Sequence, residues 1–274
     1  QVAAEHGIDH WSLDLDQCLA QPGVEAAILA TPTPLHASQA IQVLRAGKHV
    51  LVEIPMADNL ADSEELVAVA DSTGMTAMCC HTRRFNPSHQ WIRGRIAAGE
   101  LALQHLVVET FFFRRENLNA LGRPRSWTDH LLWHHACHTV DLFQYQTGES
   151  CSEAFGLQGP RHPALGIAMD MAIGMKTPSG AICTLSLSFN NDGPFGTCFR
   201  YICDNGTYIA RYDDLYDGND TPIDLSDVAV SSNGIELIDR EFFAAIRDGR
   251  QPNGAVADVL GTMETLDRIE RSLK

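Results

Sequence analysis

The chain has 274 residues, 45% of them hydrophobic, and sets 20 basic against 35 acidic side chains for a formal net charge of -15. That length can bury a full core and suits two domains of about 100 to 200 residues each. The acidity repels nucleic acid and anionic membranes, and no apolar run approaches the ~18 residues that span a bilayer; neither partner is expected, and the cytoplasm is the expected compartment.

The first third alternates short apolar runs, Val24 to Leu29, His49 to Val52 and Met75 to Cys80, with amphipathic stretches, His36 to Ala46 and Asn59 to Asp71. That alternation predicts βαβ units, a parallel sheet with helices on its faces. Gly47 and Gly74 are placed to end the two helices, and Asn59 or Asp58 to cap the second. Ligands of a doubly wound sheet sit beyond the carboxyl ends of its strands. Two such ends stand out, Thr31-Pro32-Thr33 after the first run and Glu53-Ile54-Pro55 after the second. The G-x-G-x-x-G turn that usually opens a dinucleotide fold is absent, and the chain begins at Gln1 in what reads as the tail of a helix. The simplest expectation is an amino-terminal truncation; a native fold without a dinucleotide is the other.

From Arg83 to Arg125 the chain carries eight of its seventeen arginines against three acids, Glu100, Glu109 and Glu116. Paired guanidiniums at Arg83-Arg84, Arg114-Arg115 and Arg123-Pro124-Arg125 suit two-pronged binding of carboxylate or phosphate, so this stretch is expected to clamp a small anion. A helix over Ser88 to Ala98 and a strand over Gln104 to Phe113 are predicted within it.

Ser126-Trp127-Thr128-Asp129 has capping-box spacing, which predicts a helix from about Trp127 to Gln146. At 100° per residue it would carry His130, His134, His138 and Asp141 on one face. Two chemistries fit such a stripe. His134 and His138 could ligate a metal with Asp141 as third ligand or orienting carboxylate. Alternatively, and preferred here with no metal invoked, a neutral imidazole accepts a hydroxyl proton while Asp141 fixes its tautomer.

Strands then dominate: Gly166 to Lys176, Ala181 to Asn190, Gly196 to Cys203 and Thr207 to Tyr212, with a hairpin turn at Asp204-Asn205-Gly206. Helices over Ile235 to Asp248 and Val256 to Leu273 finish the chain. The eight cysteines form no C-x-x-C pair and lie mostly in apolar runs, so buried free thiols are expected. The fold class is therefore α/β: a partial doubly wound Rossmann domain over residues 1–82, lacking its first strand and glycine turn, followed by an α+β domain over 83–274 with a large, mostly antiparallel sheet.

Val24-Glu-Ala-Ala-Ile-Leu-Ala-Thr-Pro-Thr-Pro-Leu-His36, Ala46-Gly-Lys-His-Val-Leu-Val-Glu-Ile-Pro55 and His138-Thr-Val-Asp141 resemble the Gfo/Idh/MocA family of NAD(P)-dependent oxidoreductases. Within it, His81-Thr-Arg-Arg-Phe-Asn-Pro-Ser-His89, Phe112-Phe-Arg-Arg115 and Arg123 through His135 resemble members of protocatechuate 4,5-cleavage, and Ser186 to Gly193 and Arg200 to Gly206 extend the likeness. The resemblance implies oxidation of the cyclic hemiacetal of 4-carboxy-2-hydroxymuconate-6-semialdehyde to 2-pyrone-4,6-dicarboxylate, with NADP or NAD as acceptor. It implies a cofactor site at Thr31, Pro32, Thr33, His36, Glu53, Ile54 and Pro55, and His138 on the substrate side, with His134 and Asp141 beside it. Arg83, Arg84, Arg114, Arg115, Arg123, Arg125 and His135 are then expected to hold a small dicarboxylate. A homodimer through the antiparallel sheet is also implied. Two departures stand out: Ile54 replaces a lysine common in the family, and His134 replaces an aspartate. A sugar or polyol dehydrogenase of the same family and a truncated, non-catalytic chain are the competing readings.

Overall fold

The computed structural model describes residues 2–119, 121–230 and 234–273. Two short helices, α1 (Val2–Glu5) and α2 (Leu15–Leu19), precede a sheet of three parallel strands in the order β1 (Ala26–Leu29), β2 (His49–Val52) and β3 (Ala77–Cys79). Ala26 pairs with His49, and Val52 pairs with Cys79, so all three strands end at one level. Between them run α3 (His36–Arg45) and α4 (Leu60–Thr73). Asn59 caps α4 by accepting the Asp62 amide at 2.9 Å, and Gly74 closes it in the left-handed region at φ 66°, both as expected from sequence.

Helix α5 (Pro87–Ala97) leads into a seven-stranded sheet with the order β10-β9-β8-β4-β7-β6-β5. Its members are β4 (Leu103–Phe111), β5 (Glu153–Gln158), β6 (Asp170–Lys176), β7 (Ile182–Ser188), β8 (Gly196–Cys203), β9 (Gly206–Arg211) and β10 (Asp214–Asp217). The sheet is mixed, because β4 and β7 run parallel at its centre while the other neighbours are antiparallel. The Asp204-Asn205 hairpin joins β8 to β9 as predicted, with Cys203 opposite Gly206. The outer strands β5 and β10 escaped the sequence reading: Glu153–Gln158 buries only Gly156, and Asp214–Asp217 only Leu215, so neither has a strong period-two signal.

The helix expected from Trp127 begins later. Residues 126–129 are irregular; Leu131–Ala136 forms a π-helical turn, and α6 (Cys137–Thr147) follows it. Asp129 caps nothing, because its carboxylate is taken by Arg114 and Arg125.

The final helices α7 (Ile235–Asp248) and α8 (Val256–Ser272) tie the two sheets together: α8 lies against β5, where the Gly156 amide donates to Ser272 Oγ at 3.0 Å, while the segment before it returns to the first sheet. The Cys79 amide donates to the Gly254 carbonyl at 2.9 Å, Met78 bridges Ala255, and Phe242 of α7 packs with Leu51 and Met78. The two sheets lie on either side of residue 82, α7 packs on the first and α8 bridges to the second, and one apolar core runs through both. All eight cysteines are free. No helix among the described residues is long and apolar enough to cross a membrane.

Candidate active site

Three loops leave the carboxyl edge of the small sheet together. Hydrogen bonds from the Glu53 amide to the Leu29 carbonyl (3.0 Å) and from the Cys80 amide to the Val52 carbonyl (2.9 Å) hold the strand ends side by side. The His36 ring ties two of the loops, with Nδ1 at 2.8 Å from the Pro55 carbonyl oxygen and Nε2 at 2.7 Å from that of Thr31. His36 and Thr33 are buried, so they brace the ledge; Pro32 and Glu53 are exposed on it. The Thr31 hydroxyl donates to Gln39 Oε1 at 2.6 Å, which leaves its oxygen as an acceptor. Ile54 packs against the apolar core, and the peptide bond between it and Pro55 is cis. An exposed carboxylate on a ledge at the strand ends fits the ribose hydroxyls of a dinucleotide.

The third loop carries His81 to Phe85 under α6. Arg84 reaches the wholly buried Asp141 with Nε at 2.9 Å from Oδ2 and Nη2 at 2.6 Å from Oδ1. His81 Nδ1 lies 3.4 Å from the same carboxylate, out of hydrogen-bonding alignment, and both His81 nitrogens are buried without a hydrogen-bond partner. Burial resists ionisation of Asp141, but the Arg84 and His81 charges and the Arg84 hydrogen bonds hold its carboxyl below the usual range. Two sequence expectations change here. Arg84 is committed to a protein carboxylate, and Asp141 serves Arg84 and His81 with no hydrogen bond to His138.

The histidines do not form one stripe. A π turn carries more residues per turn than an α-helix, so the 100° spacing fails across Leu131–Ala136. His134 instead stacks on Trp127 (5.5 Å between centroids), meets His130 (5.1 Å) and accepts the His130 amide at its Nδ1 (3.2 Å). Burial pushes its pKa down to about 3, with the neighbouring His130 charge in the same sense. His138 and His135 line a separate cavity of about 160 Å³. His134 and His138 therefore make no metal chelate, and among the described residues no group of three His, Cys, Asp or Glu side chains is arranged around a metal position.

Arg83 enters that same cavity, as do Thr110, Phe112, Thr197 and Phe199 from the large sheet. His138 Nδ1 is buried without a partner. Burial, and after it the charges of Arg83, His81 and His135, drive the His138 pKa well below its ordinary value, so the ring is neutral at neutral pH. The structure thus joins Arg83, His135 and His138, and separates them from His134.

Arg114 and Arg125 meet on Asp129, next to the His135 that lines this cavity. Arg114 Nη2 donates to Asp129 Oδ2 at 2.7 Å, Arg125 binds Oδ1, and His135 Nε2 stands 3.5 Å away. Burial works against the Asp129 charge, but hydrogen bonds from His135 and Arg114 and both guanidinium charges hold its carboxyl far below the usual range. Arg115 donates to the Arg114 and Phe189 carbonyls, and Arg123 is exposed on the flank of a small hairpin. Arg114 and Arg125 are therefore fixed by a protein carboxylate, where the sequence suggested free prongs. Thr110 and Thr197 were missed; the signal was a threonine on the otherwise apolar inward face of each of β4 and β8.

Residues 1–81 match a family model described as the oxidoreductase family, NAD-binding Rossmann fold (GFO_IDH_MocA), and residues 87–229 match one described as bacterial oxidoreductases, C-terminal. A 4-carboxy-2-hydroxymuconate-6-semialdehyde dehydrogenase of Sphingobium sp. (strain NBRC 103272 / SYK-6) is 61% identical over 274 residues, covering 100% of this chain and 87% of that protein. A scyllo-inositol 2-dehydrogenase (NAD(+)) of Bacillus subtilis is 37% identical over 101 residues, 37% of this chain and 30% of that protein. Among solved structures, UDP-N-acetylglucosamine 3-dehydrogenase from Acidithiobacillus ferrooxidans superposes with a TM-score of 0.84 at 20% identity, over 99% of this chain and 85% of that one. An Agrobacterium radiobacter oxidoreductase in complex with NAD+, L-tartaric acid and magnesium gives 0.81 at 16% identity, over 99% and 84%. At these identities the two structures speak for the fold.

Proposed function

The chain belongs to the Gfo/Idh/MocA family of oxidoreductases, and on that premise we propose that it oxidises the cyclic hemiacetal of 4-carboxy-2-hydroxymuconate-6-semialdehyde to 2-pyrone-4,6-dicarboxylate, an NAD(P)-dependent step of protocatechuate 4,5-cleavage. The observation that carries this reading is a 61% identity, spanning the whole chain, to a dehydrogenase of that semialdehyde.

Thr31, Pro32, Glu53 and the cis Ile54-Pro55 turn hold the nicotinamide-ribose side of NADP or NAD, with Thr33 and His36 bracing them from beneath. When bound, the nicotinamide supplies the acceptor for the hydride. His138 takes the hydroxyl proton from the same carbon, which needs a neutral ring, and its burial provides one. Ile54 has no ionisable group with which to share that task. Asp141 positions the region through Arg84 and His81. Arg83, Arg114, Arg115, Arg123, Arg125 and His135 surround the substrate with positive charge, which a diacid needs and a neutral sugar does not. The protein works in the cytoplasm as a homodimer, and the outward-facing Phe155 and Leu157 of β5 support pairing through the large sheet.

The test is a gain of reduced-nicotinamide absorbance when the chain meets the semialdehyde and NADP or NAD. No gain with either cofactor, or faster turnover of a sugar or polyol, overturns the reading.

A further inference from the structure

Among the described residues, Arg83 is the arginine whose buried donor has no partner: its Nε is sealed from solvent and meets no acceptor. Arg84, Arg114 and Arg125 each lie on an aspartate. Arg83 has a 3.4 Å contact from Nη1 to the Asn86 amide oxygen, the rings of Phe199 and Tyr212 at 5.5 and 5.3 Å from its Cζ, and the attraction of the Asp213 charge, none of which fills its Nε. Aromatic faces attract a cation but accept no conventional hydrogen bond from its edge. A buried donor left empty is costly, and a functional partner is one reason to keep it.

What Arg83 faces is equally specific. Among the described residues, no aspartate or glutamate lines the cavity. Thr110 Oγ1 lies 3.4 Å from Thr197 Oγ1, so this pair spends one hydroxyl proton on itself and leaves the other to donate into the cavity. Phe112 and Phe199 supply flat apolar walls, and His138 sits on the same lining. One guanidinium edge and one hydroxyl, with Asp213 and Asp141 acting from outside the lining and a proton acceptor alongside, form a receptor for a single carboxylate on a planar ring.

We infer that Arg83 and Thr197 form an inner carboxylate subsite that seats one of the two carboxylates of the substrate ring beside His138, and so determine selection of diacid over monoacid. The arginines on Asp129 then serve the other carboxylate at the rim. This inference rests on the proposed diacid oxidation but is tested by binding alone.

Isothermal titration of the purified chain with 2-pyrone-4,6-dicarboxylate, 2-pyrone-4-carboxylate and 2-pyrone-6-carboxylate makes the test. Arg83→Gln should weaken the diacid and one monoacid by about 10- to 100-fold, the worth of a charged hydrogen bond, and leave the other monoacid unchanged. Thr197→Val should move the same two ligands by about 3- to 10-fold. If Arg83→Gln does not fold, Thr197→Val decides. Wild-type chain that binds no diacid, variants that bind it normally, or equal weakening of all three ligands overturns the subsite. Selective diacid binding without turnover would sink the oxidation and spare the subsite; turnover without the Arg83 and Thr197 effects would do the reverse.

Discussion

Arg84 and Asp141 form a two-pronged ion pair at 2.9 and 2.6 Å in which the arginine is 6% exposed and the aspartate is fully buried. The pair joins the loop after β3 to α6, and so fastens the carboxyl edge of one sheet to the helix that carries His138. Two charges out of water are tolerated here because each answers the other, with Asn253 on Arg84 and Thr262 on Asp141 taking further hydrogen bonds.

Removing one partner should therefore be severe. Arg84→Met leaves an uncompensated buried carboxylate and is expected to cost about 3 to 5 kcal/mol, read as a fall in the urea midpoint. A loss below ~1 kcal/mol would show that the pair is solvated in solution.

His81 makes stability fall on mild acidification. Burial pushes its folded pKa down to about 4, with Asp141 partly offsetting, whereas the unfolded ring titrates near ~6.5. The unfolded chain takes the proton first. This contribution is thus fully present above pH ~6.5 and is lost progressively as the pH falls towards about 4, by on the order of a few kcal/mol. His81→Gln should flatten the dependence of the urea midpoint over that window; an unaltered slope would exonerate His81.

His138→Ala should cut turnover by about 10²- to 10⁴-fold, the usual range for a lost general base. Because the ring is neutral well below its ordinary pKa, kcat/KM should hold steady from neutral pH to below ~6.5 before an acid limb begins. Near-normal turnover in the variant, or a limb centred at neutral pH, contradicts the assignment.

Arg114→Ala and Arg125→Ala each remove one of the guanidiniums fixed on Asp129 while the other stays. Each should raise the Michaelis constant for the diacid more than that for the cofactor. Steady-state kinetics with either reactant varied will separate the two, and unchanged constants would confine these arginines to a structural role.

Gly234 starts α7 at φ 73°, where a Cβ would lie 2.9 Å from Phe85 Cβ and 3.0 Å from the Thr82 carbonyl oxygen. Gly234→Ala meets both backbone strain and a clash with the Arg83 loop. A loss of about 1 to 3 kcal/mol is expected in thermal or urea unfolding, and wild-type stability would show that α7 can move away.

Local patterning determined much of this protein. Apolar alternation and glycine stops placed β2, β8 and α7 to the residue and set α3, α4, α5, α8 and most other strands within a few residues. Those signals are visible in sequence because they come from neighbours a few positions apart. The strand-end ledge was legible for the same reason, as each loop follows its own strand. The weak edge strands β5 and β10 had no such signal, since little of either is buried. What only tertiary structure decided was which charges meet. Arg84 and Asp141 are 57 positions apart, Arg83 faces threonines from two distant strands, and a single π turn sent His134 away from His138. The arginine run specified a quantity of positive charge, and long-range packing decided which arginines an aspartate claims and which one keeps an open donor.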